Sequence, residues 1–324
     1  MCNADLQESH RHLVKAFGPE VFDADSPLTA SWSRAADPTA RAGGDLILDP
    51  HNRRLKLYGP TAAEACDPGL SGWVDCLRTF PHLFSKLIVY ARPGGFETWV
   101  TAGYLHEGII AGFFADGQEA HMWAVFGDET RSDAPRDARH DEIVRIAAAK
   151  PVVTPEPAPE FSCRRAGTDL AQPIVDLMTD TFPDYPTPIS ADLIGRQIAN
   201  GTNIFRYIEN ADGDVVASAS AEIDHVRQCA EMTDCATRPD QRGAGHMGLL
   251  LHRLARDLRE DFGITDLYTL ARADEVGMNC VFGKLDYAYT GRLINNCRMP
   301  NGWESMNIWC LSTAGDPGGD ETRV

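Results

Sequence analysis

Residues 238–247 read RPDQRGAGHM and stand directly before an apolar run, GLLLHRLARDL (248–258). An Arg-Gly-x-Gly loop that opens a helix exposes several backbone N–H groups where the helix dipole is positive. That is an anion site, and usually a phosphate site. Two common phosphate motifs fit badly. Walker A needs a Lys-[Ser/Thr] pair after its glycines, and none follows here. The spacing Gly243-x-Gly245-x-x-Gly248 approaches the dinucleotide fingerprint, but that motif wants alternating β and α units around it. Here three strand-like segments in series precede the loop, which disfavours a parallel dinucleotide-binding sheet.

Working outward, FSCRRAG (161–167) has strand character, and DLAQPIVDLMTDTF (169–182) carries Leu170, Ile174, Leu177 and Met178 at helical spacing. A Pro-rich turn, PDYPTPI, and a short helix near 191–200 follow. NIFRYIEN (203–210) and VVASASAEID (215–224) read as strands joined by an Ala-Asp-Gly-Asp hairpin turn. AEMTDCAT (230–237) is the third strand in series. The loop's helix extends to about 261, DLYTLAR (266–272) is strand-like, VGMNCVFGKL (276–285) is helical, and YAYTGRL (287–293) and ESMNIWCL (304–311) are terminal strands. The order is β-α-α-β-β-β-α-β-α-β-β.

This order, with the loop after its fourth strand, resembles the GNAT acetyltransferase family, whose hallmark is [Gln/Arg]-x-x-Gly-x-[Gly/Ala]. Here it reads Arg242-Gly243-Ala244-Gly245-His246-Met247, with Met247 in place of the final small residue. The resemblance implies an α/β (α+β) fold with a mixed central sheet flanked by helices. It also implies acetyl-CoA as co-substrate, no metal, and pyrophosphate held by the backbone of Arg242, Gly243, Ala244, Gly245, His246, Met247 and Gly248. FPDYPTPI (182–189), EMTDCATRPDQRGAGHM (231–247), GMNCVFGKLDYAYTGRLINN (277–296) and ESMNIW (304–309) are similar to the beta-lysine N-acetyltransferase branch, which has an extra N-terminal domain. That branch implies acetyl transfer to the side-chain amine of beta-lysine, giving the osmolyte N6-acetyl-beta-lysine. Another small amine as acceptor, and a non-catalytic acyl-CoA-binding regulatory module, are the alternatives.

Residues 151–159, PVVTPEPAP, hold four prolines, so they cannot form a helix or a central strand and read as a stiff linker. The expected layout is an N-terminal degenerate GNAT-like domain (1–150), a linker (151–160), the N-acetyltransferase domain (161–312) and a disordered tail (313–324). In the first half, a helix is expected near 4–17, a hairpin over 45–59 turning at Pro50-His51-Asn52, a helix over 72–84, a strand at 86–92, a helix at 96–103 and two further strands. Residues 96–126 echo 282–311. Both run helix, aromatic, x-Gly-x-apolar, glycine turn, Glu-[Ala/Ser], then a strand containing Met and Trp. The pattern suggests an internal repeat whose first copy lacks the phosphate loop.

Acetyl transfer to an amine needs a base, because a free ammonium has a pKa near ~10.4. The fourth strand offers Glu231 and Asp234, which strict alternation would put on opposite faces. Glu231 is the preferred base. Family resemblance places an oxyanion donor near Cys235, Ala236 and Thr237, and a CoA contact at Asn279. Phe282 occupies the family's usual acid-tyrosine position, so Tyr287, or alternatively Tyr289, on the next strand, is the candidate acid. Asp184, Tyr185 and Glu304 are the candidate substrate contacts.

The chain has 324 residues and a net charge of −17, which excludes a nucleic-acid-binding face of ordinary kind. No apolar window is long enough for a membrane helix, and the polar start lacks a signal-peptide core, so a cytoplasmic protein is expected. The nine cysteines include no CxxC pair and read as reduced thiols. The expected partner is a small-molecule amine, and the assembly either a monomer with a pseudo-repeat or a homodimer.

Overall fold

A computed structural model describes residues 45–312, except 50, 67, 80, 82–83, 134–137, 157, 159–160, 183–184, 186–188 and 300–301. The helix expected near 4–17 and the tail 313–324 lie outside the described residues.

The first half runs β1 (Asp45–Asp49), β2 (Arg54–Tyr58), α1 (Pro68–Thr79), β3 (Lys86–Ala91), α2 (Phe96–Thr101), β4 (Leu105–Ile110), β5 (Ala120–Phe126), α3 (Glu129–Ser132) and α4 (Ala138–Ala148). The second half runs β6 (Ser162–Arg165), α5 (Ala171–Thr181), α6 (Ala191–Asn200), β7 (Asn203–Glu209), β8 (Val215–Asp224), β9 (Cys229–Thr237), α7 (His246–Phe262), β10 (Asp266–Arg272), α8 (Val276–Lys284), β11 (Ala288–Met299) and β12 (Gly302–Ser312). Helix α1 starts and ends earlier than the 72–84 expected. Proline suits a first helical turn, and Pro81 disfavours helical backbone at the residue before it. Strand β11 runs six residues beyond the expected end, and α4 was not foreseen.

All twelve described strands form one sheet, in the order β1-β2-β3-β5-β4-β11-β12-β10-β9-β8-β7-β6. The two halves repeat one pattern. The pairs β1·β2, β3·β5 and β4·β5 are antiparallel and β2·β3 is parallel. Likewise β8·β9, β10·β12 and β11·β12 are antiparallel and β9·β10 is parallel. The registers match residue for residue. Trp123 opposes Val89 and His106 as Trp309 opposes Thr269 and Tyr289, and a register shift follows at once in both copies. Both tryptophans are buried.

The copies meet where β4 pairs β11 antiparallel at Gly108↔Gly291, equivalent positions of the repeat. A Cβ on Gly108 would lie 2.7 Å from the Gly291 Cα, and one on Gly291 would collide with the Glu107 carbonyl and the Gly108 Cα. Only glycine lets the two backbones approach this closely.

Polar contacts reinforce the junction. Lys86 and Glu107 form a fully buried ion pair at 2.8 Å. Lys86 also donates to the Ile294 carbonyl at 2.7 Å, and the Ile294 N–H donates to Glu107 at 2.7 Å. The Arg131 guanidinium donates to the carbonyls of Asn52, Arg53, Asn295 and Asn296 and to the Ser85 hydroxyl, and lies 3.7 Å from the Trp303 ring.

Helix α7 buries Leu250, Leu251, Leu254 and Leu258 against one face of β7–β9, each contributing roughly 2 kcal/mol of burial. Glycine at position 263, φ 68°, closes it. The opposite face is concave. From β2 to β9 is seven steps along the sheet, which would span roughly 34 Å if flat. Yet the Arg227 guanidinium, in the β8–β9 turn, lies 4.4 Å from the Tyr58 ring of β2. The sheet therefore curls until its two halves face each other.

Gly291→Ala is expected to lower stability by about 1–3 kcal/mol, through overpacking at the copy junction. Thermal unfolding would register this as a drop of several degrees, whereas the same change at the open Gly117 turn, with nothing near a new Cβ, should cost less.

Candidate active site

The pairing between parallel strands β9 and β10 covers Cys229–Glu231 against Asp266–Tyr268 and stops there. Both strands continue, to Thr237 and Arg272. The Thr269 hydroxyl donates to the Met232 carbonyl at 2.8 Å, at the point where they part. A wedge thus opens beside Cys235, Ala236 and Thr237, of which Ala236 and Thr237 pair with β8 on the other side.

A bulge on β9 sets the side chains around this wedge. Ser218 opposes Ala236 while Ser220 opposes Thr233, so β9 carries an extra residue. Asp234 takes φ 49°, a left-handed conformation uncommon outside glycine. Its carboxylate accepts from the Ser220 hydroxyl at 2.7 Å and the Tyr185 hydroxyl at 3.0 Å. Ser220, Glu222 and Glu231 share one sheet face, so the bulge brings Asp234 round to the Glu231 side. This corrects the expectation that the two carboxylates point apart, because strict alternation fails at a bulge.

Glu231 faces the concave side, opposite Glu222 on β8 and Tyr268 on β10. It is half-buried, and burial, with Glu222 as a like charge, pushes its carboxyl up to about 7; Lys56 and the Tyr268 phenol act against that rise. Burial also raises Asp234, and its two hydroxyl donors offset part of the rise. A carboxyl near 7 is suited to accept a proton at neutral pH, since half of it is ionised there.

The loop after β9 is exposed from Arg242 to Gly245, with Gly243 at φ 86° and Gly245 at φ 83°. Gly245 is the N-cap of α7 and offers no side chain to the first turn, which also holds no acidic residue. The backbone N–H groups of His246, Met247 and Gly248 are left for an anion. The side chains of His246 and Met247 turn inward; the His246 ring lies 4.4 Å from Phe161, and Met247 joins the core. Arg242 leans back, its Nε donating to the Thr237 carbonyl at 3.4 Å.

The remaining candidates divide. Tyr287 is buried beside Phe282, ring centroids 5.2 Å apart. Its hydroxyl has no hydrogen-bond partner among the described residues, and it feels the Cys235 thiol at the wedge. Asn279 is fully committed within the protein. Its amide donates to the Arg272 and Glu275 carbonyls and accepts from Asn307 and the Trp309 indole, each at 2.8–2.9 Å. An Asn amide has two donors and two lone pairs, so nothing is left for CoA. Glu304 is bound bidentately by Arg272 at 2.7 and 2.8 Å, and strand alternation puts both on the sheet face that carries Tyr268, so this carboxylate is already committed to an arginine. Asp184 lies outside the described residues. Sequence reasoning missed Glu222, Tyr268 and Lys56; Glu222 could have been found by pairing the β8–β9 hairpin.

Residues 171–279 match the Acetyltransferase (GNAT) family. The Beta-lysine N(6)-acetyltransferase of Methanosarcina mazei is 33% identical over 247 residues, covering 69% of this chain and 90% of that protein. The chain belongs to the GNAT acetyltransferase family. It is an acetyl-CoA-dependent N-acetyltransferase with the α/β fold of that family. The N-acetyltransferase YodP of Bacillus subtilis is 31% identical over 226 residues, covering 69% of this chain and 81% of that protein. A second Beta-lysine N(6)-acetyltransferase, of Methanococcus maripaludis, is 27% identical over 225 residues, covering 68% and 81%. Residues 161–324 are only about half of the chain, so these GNAT relatives extend their likeness into the first half. No helix among the described residues is long and apolar enough to cross a membrane.

Asn279→Ala is expected to lower stability, because it leaves the buried Asn307 amide and Trp309 indole N–H without an acceptor, at about 1–3 kcal/mol each. Denaturant unfolding would show the loss. Acetyl-CoA affinity, measured on the remaining folded protein, should change little.

Proposed function

We propose that this N-acetyltransferase moves the acetyl group of acetyl-CoA to the side-chain amine of beta-lysine, giving N6-acetyl-beta-lysine, by direct attack in a ternary complex. The observation that carries the mechanism is Glu231, a half-buried carboxyl with its pKa near 7, at the point where β9 and β10 part. The substrate rests on the likeness to the beta-lysine enzymes, which extends into the first half.

In this mechanism the CoA pyrophosphate rests on the first turn of α7 and the pantetheine arm enters the wedge. Glu231 takes a proton from the acceptor ammonium, directly or through water. The freed nitrogen attacks the thioester carbonyl, forming the C–N bond. The β9 backbone near Cys235–Thr237 holds the oxyanion, an arrangement that costs no reorganisation during the step. The C–S bond then breaks, and the departing thiolate takes a proton. Tyr287 is the proton donor that fits, since its hydroxyl is otherwise unpartnered and sits beside the wedge. Asp234, bound by two hydroxyls, fixes the bulge and Tyr185 rather than serving as base.

The direct test is CoA release from acetyl-CoA with beta-lysine, α-lysine, ornithine, spermidine and a lysine peptide. Preference for beta-lysine supports the reading; binding of acetyl-CoA with no release for any amine would overturn it. Glu231→Gln should lower kcat about 10²–10⁴-fold with acetyl-CoA binding intact. Below pH about 7 Glu231 is protonated and cannot accept, so wild-type kcat/KM should fall toward tenfold per pH unit, and this limb should vanish in Glu231→Gln. Tyr287→Phe should lower kcat while leaving thermal stability unchanged or slightly raised, because the lost hydroxyl makes no hydrogen bond to the described residues.

A further inference from the structure

The repeat carries a charge inversion at its centre. Lys56 opposes Ile88 on β3 as Glu231 opposes Tyr268 on β10, and the two registers are equivalent throughout. The first half therefore places a lysine where the second places its proposed base. Lys56 lies on the same face of β2 as Arg54 and Tyr58, and the curl of the sheet turns that face toward Glu231.

Rings from both halves bound the space between them. Tyr58 stacks on Tyr90 at 4.3 Å, Phe113 lies 5.9 Å from Tyr268, and Arg227 covers Tyr58. Lys56 feels Glu231 and Glu222 across this space. Arg54 is used elsewhere, on Asp49 at 2.7 Å and on the Asn296 carbonyl. Among the described residues, none forms an ion pair with the Lys56 ammonium within 4 Å. Both Lys56 and Glu231 are only half-buried, so they line an open cleft and not a sealed core.

We propose that Lys56, supplied by the degenerate first half, binds the carboxylate of the acceptor in this cleft, so that the enzyme selects an amino acid over a polyamine. This rests on the reading above that the acceptor amine approaches Glu231. A zwitterionic diamine acid matches the charges of the cleft: Glu231 and Glu222 for its two ammonium groups and Lys56 for its carboxylate. A polyamine would set another cation against Lys56, an arrangement that costs affinity.

The test compares beta-lysine with its decarboxylated counterpart, 1,4-diaminopentane, in wild type, Lys56→Met, Lys56→Gln and Lys56→Arg. Acetylation kinetics are measured together with calorimetric binding to the CoA-loaded protein, and thermal unfolding confirms each variant's fold. Losing one charge-assisted contact should raise KM for beta-lysine about 10–100-fold in Lys56→Met and Lys56→Gln. Measured well above pH 7, where Glu231 stays ionised without the lysine, kcat should stay within about threefold, and KM for 1,4-diaminopentane should be unchanged or lower. Lys56→Arg should recover most of the affinity. Equal losses on both acceptors, or a shifted pH profile with discrimination unchanged, would overturn the proposal and leave Lys56 as a residue that only tunes Glu231. A wild type that prefers amines without a carboxylate would also overturn it, though acetyl transfer would stand. If another carboxylate-bearing amine is preferred, the beta-lysine reading fails, while Lys56 stands if its replacement removes the preference over the decarboxylated form. No binding or acetylation of any carboxylate-bearing amine overturns both.

Discussion

The close contact of two glycine backbones, Gly108 on β4 and Gly291 on β11, is the constraint on which the rest of this molecule depends. It is the paired position that joins the copies into one sheet. A side chain there would crowd the two backbones at the point where the copies join. The surrounding polar contacts make the junction specific. Burial lowers the Lys86 ammonium to about 8 and raises the Glu107 carboxyl, so both charges are retained only because each answers the other. Removing one partner of such a pair typically costs about 3–5 kcal/mol, far more than a surface pair is worth.

The same junction shapes the chemistry. Joining the two half-sheets edge to edge gives a curl that brings the Arg227 guanidinium, beside β9, to 4.4 Å from the Tyr58 ring of β2. Burial and the like charge of Glu222 raise the pKa of Glu231, and Lys56 of the first half acts against that rise. In the proposed function, the first half thereby contributes one wall of the acceptor cleft.

Within the second half, two local irregularities divide the work. The β9 bulge commits Asp234 to Ser220 and Tyr185. The halt in β9–β10 pairing opens the wedge between backbones that would otherwise bond each other. Asn279 braces α8 against β10 and β12, at a position where a ligand contact was expected.

The sequence by itself determined the element order, the glycine loop and its helix, and the repeat's helix-strand-strand signature, because these depend on local periodicity and on glycine backbone freedom. Glu231 was legible because strand 230–237 reads clearly. The side on which Asp234 lies was not legible, since a bulge arises from pairing with a neighbour. The commitments of Asn279 and Glu304 were equally hidden, because their side-chain partners lie 28–32 residues away in the chain. Only the tertiary structure decided that Lys56 faces Glu231. That depends on the curl of a whole sheet across seven strand steps, and no local pattern encodes a distance set by the sum of so many pairings.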